Sequence, residues 1–330
     1  ALINAFTDIY ILDLHGNSKK RERNPDGGPD ENVFDIQQGV AIGIFVKEPG
    51  KAGPARVHHA DLWGERENRD GNEGKYSWLF KNDVLSTTWE KLTPQTPDYL
   101  FVSQNLQVRT EYSTGWSLPD MMPVNTVGVV TGQDAKTIAM STSDAEELVQ
   151  QLGLSSDIVR PILYRPFDQR LILYDPRVVT RPRLQVMRHM LVNGNIALIS
   201  ARSNKSQIPD HFFCGNTLVE TKCGESTTQS SVFPLYIFTD AIASTLFDPE
   251  STPRGQARRA NFSPAFLKEL EASLNMSFIE NNKGDLESTF GPEDIFTYMY
   301  AVFHSASYRS RYSEFLKLDY PRLPITSDAK

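Results

Sequence analysis

Two short apolar runs near the N-terminus constrain this chain most. IYILDL (9–14) and GVAIGIFV (39–46) are β-branched and nearly uninterrupted. Such runs suit strands buried on both faces, as in an α/β sheet. The stretch between them, NSKKRERNPDGGPDEN, is charged and rich in Gly and Pro, so it reads as a solvated loop. A chain without an initiator methionine that enters a core strand by residue 9 is expected to be a piece of a longer protein, with the rest of that sheet upstream.

At 330 residues the chain is long enough for two domains. Its 39% hydrophobic and 23% charged content is that of a soluble globular protein, and no apolar run approaches the roughly 18 residues that span a membrane. Cys214 and Cys223 have no Cys or His partners at zinc-site spacing, so no metal site is assigned to them, and so few cysteines fit a reducing, cytoplasmic setting. The net charge of −7 argues against nucleic acid, but its distribution does not. Residues 151–235 hold ten basic side chains, eight of them Arg, against six acidic ones. Arg is suited to bidentate contacts with phosphate and guanine, although ordinary ion-pair networks also use it.

Further along, YLFVS (99–103) offers a strand, and 104–140 reads as a connection rich in Thr, Ser, Gly and Pro. Ser143 with Glu146 predicts a capped helix closed by Gly153. QRLILY (169–174), NIALIS (195–200) and FPLYIF (233–238) read as strands. Pro182 is expected in the first turn of a helix running to about 192, with Leu184, Met187 and Leu191 inward and Arg181, Gln185 and Arg188 on another face. The last third reads as helical, starting at Ser263-Pro264 and again at Pro292.

No GxGxxG, GxxxxGKS/T, GxSxG, HExxH or Asn-Pro-Pro-aromatic motif is present. His58-His59-x-Asp61 could be read as metal ligands, but it is taken as a strand edge before Leu62-Trp63, and no metal site is assigned. Two stretches are more specific. IYILDLHGN followed by NVFDIQQGVAIGIFVK resembles the later motifs of an adenine-specific DNA methyltransferase domain of the Type ISP restriction–modification enzymes, and more loosely of Type IIG enzymes. LYRPFDQRLILYDPRVVTRPRLQVMRHML resembles the entry to that family's target-recognition domain, and DIFTYMYAVFHSASYRSRYSEFLKLDYPRLPI its helical close. The resemblance implies an α/β fold: a partial Rossmann-like methyltransferase sheet over about 1–125, then a mixed α/β target-recognition domain over about 126–330, closed by helices from about 262. It implies a cytoplasmic prokaryotic protein whose partners are double-stranded DNA and the methyltransferase, helicase and nuclease domains upstream in the same polypeptide. S-adenosylmethionine, ATP and Mg would serve the intact parent, with no cofactor or catalytic residue in this chain. A non-catalytic protein–protein docking scaffold is the other reading.

Phe34 matches the family position expected to stack on a flipped adenine; a core aromatic at a strand entry is the competing reading. Gln37 and Gln38 could meet a base edge or cap a backbone group. In YRPFDQR, Asp168 is expected to pair with Arg165 or Arg170 as scaffold, with DNA contact a second use of those arginines. The base readers are sought in two polar loops: Arg202, Ser203, Asn204, Lys205 and Gln207 in ARSNKSQ, and Lys222, Thr228, Gln229 and Ser230 in TKCGESTTQSS. Arg181, Arg183 and Arg188 are candidate phosphate contacts.

Overall fold

The computed structural model describes residues 1–20, 22–96, 99–103, 105–204, 209–238 and 258–329. They form two compact units, Ala1–Leu106 and Gln107–Lys330. The division falls before residue 125 because Tyr112, Leu118, Met121 and Met122, within the expected connection, are buried in the core of the second unit. Among the described residues, no helix is long and apolar enough to cross a membrane.

The first unit is built on a four-stranded sheet in the order β2-β1-β3-β4, with β1 Asp8–Asp13, β2 Ala41–Val46, β3 Arg56–Asp61 and β4 Glu90–Leu92. β1 runs antiparallel to β2 and parallel to β3, with Asp13 opposite Asp61 at its C-terminal end. Both apolar runs are strands, but only β1 has the expected burial. Ile9 and Leu12 are enclosed, whereas every residue of β2 is exposed. Among the described residues β2 is the edge strand, paired with β1. No strand forms at 99–103, where Tyr99 has a φ of 47°, outside the β region.

The first unit depends on a polar staple. The helix Lys75–Lys81 begins with a lysine whose side chain is 0% exposed and lies 2.8 Å from an equally buried Asp30. Lys75 Nζ also donates to the carbonyls of Leu14 and Glu31, each at 2.7 Å. Asp30 in turn accepts from the backbone N–H groups of Gly16, at 2.6 Å, and Gly64, at 2.8 Å. One ion pair thus joins the end of β1, the loop before residue 32 and the segment after β3. Both side chains are enclosed, and hydrogen bonds occupy both groups, as burial of an ion pair requires.

The second unit holds two four-stranded sheets. One orders Phe212–Gly215, Ala197–Ala201, Ser230–Pro234 and Thr126–Val127, all antiparallel. The other orders Leu218–Val219, Val159–Arg165, Asp168–Leu173 and Ile138–Ala139, with the first pair parallel. C-terminal helices cover the main core, in which Phe212, Phe233, Phe266 and Phe303 are fully enclosed; each such burial contributes about 1.5–3 kcal/mol relative to exposure. The helix Pro264–Leu274 is capped by Ser263, whose hydroxyl accepts from Phe266 N–H. Pro292–His304 buries Ile295, Phe296, Met299 and Phe303; Tyr300 is half-buried.

Local details differ from expectation. Ser141 rather than Ser143 caps the helix Thr142–Leu152, forming its capping box with Asp144, and Gly153 closes it in the left-handed region. The helix expected from Pro182 is one α-turn, Leu184–Met187, followed by a 3-10 turn, Arg188–Met190. Arg183 at its N-cap has a φ of 57°, which excludes Pro182 from the first turn. Leu184 is consequently exposed, although Met187 is buried.

Candidate nucleic-acid interface

In the first unit the site forms around the turn 32–38. Asn32 is buried and binds both sides of the turn: Nδ2 donates to the carbonyls of Gly16 and Gln38, and Oδ1 accepts from Phe34 N–H at 2.8 Å. Gly16 is required here, with φ 79° and room for no more than a hydrogen; a Cβ would stand 2.3 Å from Asn32 Cα. Arg66 holds the outer side through the carbonyls of Asn32 and Phe34 and an ion pair with Asp35 at 2.8 Å. Tyr76 donates its hydroxyl to the Val33 carbonyl. Held in this way, Phe34 is 60% exposed, beside an open cavity of about 640 Å³ whose lining includes Gly16, Asn32, Phe34, Gln37 and Arg66. Core packing therefore does not account for Phe34. Gln37 and Gln38 are exposed as well.

Beside this turn, His15 Nε2 meets Asp61 Oδ1 at 2.8 Å, and its ring stacks on Trp63. Burial opposes a charge on His15, but hydrogen bonds to Asp61 and Glu22 outweigh it and raise the imidazole to about 9.

In the second unit the candidate residues divide by burial. Arg165 pairs with Glu220 at 2.7 Å, and Arg170 with Asp168 at 2.8 Å. Both guanidiniums lie over the Tyr164 ring, at 4.1 and 4.0 Å from its centroid. The expected scaffold pairing is present through Arg170, and Arg165 takes a partner far along the chain. Phe167, at the tip of this hairpin, is 100% exposed with a φ of 62°.

Three expected loop readers are turned inward. Asn204 is buried, its Oδ1 accepting from His211 N–H at 2.9 Å. Ser230 is buried, its hydroxyl 2.9 Å from His211 Nε2 and accepting from Gly224 N–H. Thr228 is also buried. Asn204 and Thr228, with His211 and Gly224, line a small cavity of about 200 Å³. Burial pushes His211 below its ordinary value, with Asp210 and Glu225 opposing the shift. Asn204, Thr228 and Ser230, expected as surface readers, are buried instead; Ser230 links its loop to His211, and Asn204 braces its own loop. Arg181, Arg202, Lys222 and Gln229 are exposed, whereas Arg183, Arg188 and Ser203 are half-buried. Arg202 has one exposed partner, Asp319, at 3.2 Å, a pairing worth little in water. Lys205 and Gln207 lie outside the described residues.

Motif reading missed the Lys75–Asp30 staple and Arg66, because nothing in sequence spacing marks their partners. Asn32, two residues before Phe34, was the available signal, since Asn side chains commonly bond the backbone two residues on.

The second unit is thus α/β, with polar side chains turned inward around His211 and with Arg181 and Arg202 exposed. Residues 77–330 match the Type ISP C-terminal specificity domain, and the chain belongs to that family. Among curated proteins none matches. Solved structures with the same fold include the DrdV–DNA complex (17% identity, TM-score 0.66, 98% of this chain and 34% of that one). The ATP-dependent Type ISP restriction-modification enzyme LlaBIII bound to DNA is a second (18%, 0.65, 98% and 23%). A third is a nuclease-deletion mutant of the Type ISP enzyme LlaGI with a DNA substrate mimic (18%, 0.62, 98% and 31%). The chain therefore spans between about a quarter and a third of each of these proteins.

Proposed function

We propose that this chain is the DNA-reading part of a Type ISP-like restriction–modification enzyme. Its second unit binds a specific duplex sequence, and its first unit presents Phe34 to a target adenine for N6 methylation. The exposure of Phe34 beside an open cavity carries the second half of this reading. A base whose exocyclic nitrogen is to react must leave the stack, and an exposed ring face next to a cavity offers it a new one. Asn32 and Arg66 fix the turn so that the ring is ordered before the base arrives, and the Gln37 amide is available to a base edge.

S-adenosylmethionine would supply the methyl group in the intact parent. The sequence contains neither a glycine-rich cofactor motif nor an Asn-Pro-Pro-aromatic loop, so no chemical step is assigned to these residues. The exposed apolar side chains of β2, with Ile42 and Ile44 on one face and Phe45 on the other, support a docking role for the first unit: its free edge suits the remaining strands of a methyltransferase sheet, upstream in the same polypeptide. ATP and Mg would serve helicase and nuclease domains further upstream.

The test is selection from a randomised duplex library at low and physiological salt. Enrichment of one asymmetric site supports the reading. Retention at low salt without enrichment reduces it to a generic basic surface, and no retention favours docking alone. Arg181→Ala should weaken all sequences about equally and lower the salt slope by about one unit, whereas Arg202→Ala with Gln229→Ala should reduce preference for the selected site.

A further inference from the structure

The parallel pairing of β1 and β3 places Asp13 opposite Asp61, and Ile11 opposite His59. Side chains two apart on a strand share a face, so Asp13, His59 and Asp61 all project on the same side. Each offers one ligand atom, and these atoms lie within 4.8 Å of one another. His59 is 3% exposed, yet among the described residues neither of its ring nitrogens has a hydrogen-bond partner. Its Nδ1 points toward Asp61, 3.8 Å from Oδ2. A buried imidazole left unsatisfied costs free energy, and a group of this kind calls for a partner.

We infer that Asp13, His59 and Asp61 form a site for a divalent transition-metal ion of the zinc type. Two carboxylate oxygens and one imidazole nitrogen are a donor set that Zn²⁺ accepts, whereas the imidazole disfavours Mg²⁺ and Ca²⁺. Donors held about 2.1 Å from an ion stand roughly 3.4 Å apart in a tetrahedron, so a rotamer-scale movement of the exposed Asp61 closes the set. The supporting bonds are already made. Asp61 Oδ1 is engaged by His15 and Asp13 Oδ1 by the His15 N–H at 2.9 Å, which leaves the second oxygen of each carboxylate for the ion and orients it. Asp61 opens to solvent and provides the entry path. The ion would clamp the C-terminal ends of β1 and β3, next to Gly16 and Gly64, the two glycines that bond Asp30. This inference does not depend on the DNA reading.

The experiment is equilibrium dialysis of the 330-residue chain against Zn²⁺ or Mg²⁺, with metal content and thermal unfolding measured on the wild type, Asp61→Asn and His59→Leu. A single bound Zn²⁺ that raises Tm, lost in both variants and not reproduced by Mg²⁺, is the expected result. Asp61→Asn is isosteric at an exposed position, so it remains informative should His59→Leu fold poorly. Absence of bound zinc in the wild type overturns the inference. So does zinc retained equally by Asp61→Asn, which would move the metal to other histidines or to Cys214.

Discussion

The strands Ala41–Val46 and Ala197–Ala201 make an instructive pair. Both are short and apolar, and both pair antiparallel with a neighbour. All six residues of the first are exposed, and all five of the second are buried. Apolar, β-branched sequence decides that a segment is extended; what covers it depends on the rest of the sheet. The second unit covers Ala197–Ala201 with strands on both edges and a core on its faces. The first unit leaves β2 open and relies on a buried ion pair instead.

The largest effect should come from that ion pair. Lys75→Met removes one charge and leaves Asp30 buried alone, at a cost of about 3–5 kcal/mol; denaturant unfolding of the first unit would show it. A cost near zero would mean that the first unit does not depend on the staple. Next, Ile199→Ala in the covered strand should cost about 2–5 kcal/mol, whereas Ile44→Ala in the open strand should cost less than about 1 kcal/mol. Equal losses would break the comparison. In a longer chain carrying the segments proposed to cover β2, the Ile44→Ala cost should rise toward that of Ile199→Ala, which sharpens it.

Acid should separate the units more gently. His211, in the second unit, is held below its ordinary value mainly by burial. Its contribution is complete above the ordinary imidazole value of about 6.5 and is lost as pH falls below it. Asp8, in the first unit, is lowered chiefly by its hydrogen bond from Arg56, so its contribution persists until pH falls below the ordinary carboxylate value of about 4. Between pH 7 and 5 the second unit should lose stability, and His211→Gln should flatten that loss. The smallest effect concerns reactivity. Burial pushes the Cys223 thiol up to about 12, whereas Cys214 is exposed. Iodoacetamide should modify Cys214 and spare Cys223 in the native protein.

The sequence carried the local grammar well. The strands at 8–13, 41–46 and 168–173, the proline-initiated helices at 264 and 292, and the Gly153 terminus were all legible from periodicity and capping residues. Ser143-x-x-Glu146 was read as the capping box, but Ser141-x-x-Asp144 two residues earlier forms it; the two spacings are alike, so the start was misplaced by two residues. Of the proposed site, Phe34 stood out through a motif, but its turn is held by the adjacent Asn32 and by Arg66 and Tyr76 from distant positions. In the polar loops, composition did not state direction: Asn204, Thr228 and Ser230, expected at the surface, are buried. Asn and Ser serve equally as surface readers or as internal braces, and tertiary contact with His211 decided the latter.

Lys75 binds segments that are remote in sequence, so the first unit cannot loosen piecemeal at that point. Fraying of the first turn of its helix would release the end of β1, the Asp30 loop and the base of the Phe34 turn together. The amides of Gly16, Phe34 and Gly64 should then exchange with solvent through one shared opening, with a common free energy, as a single cooperative unit rather than as three separate loops.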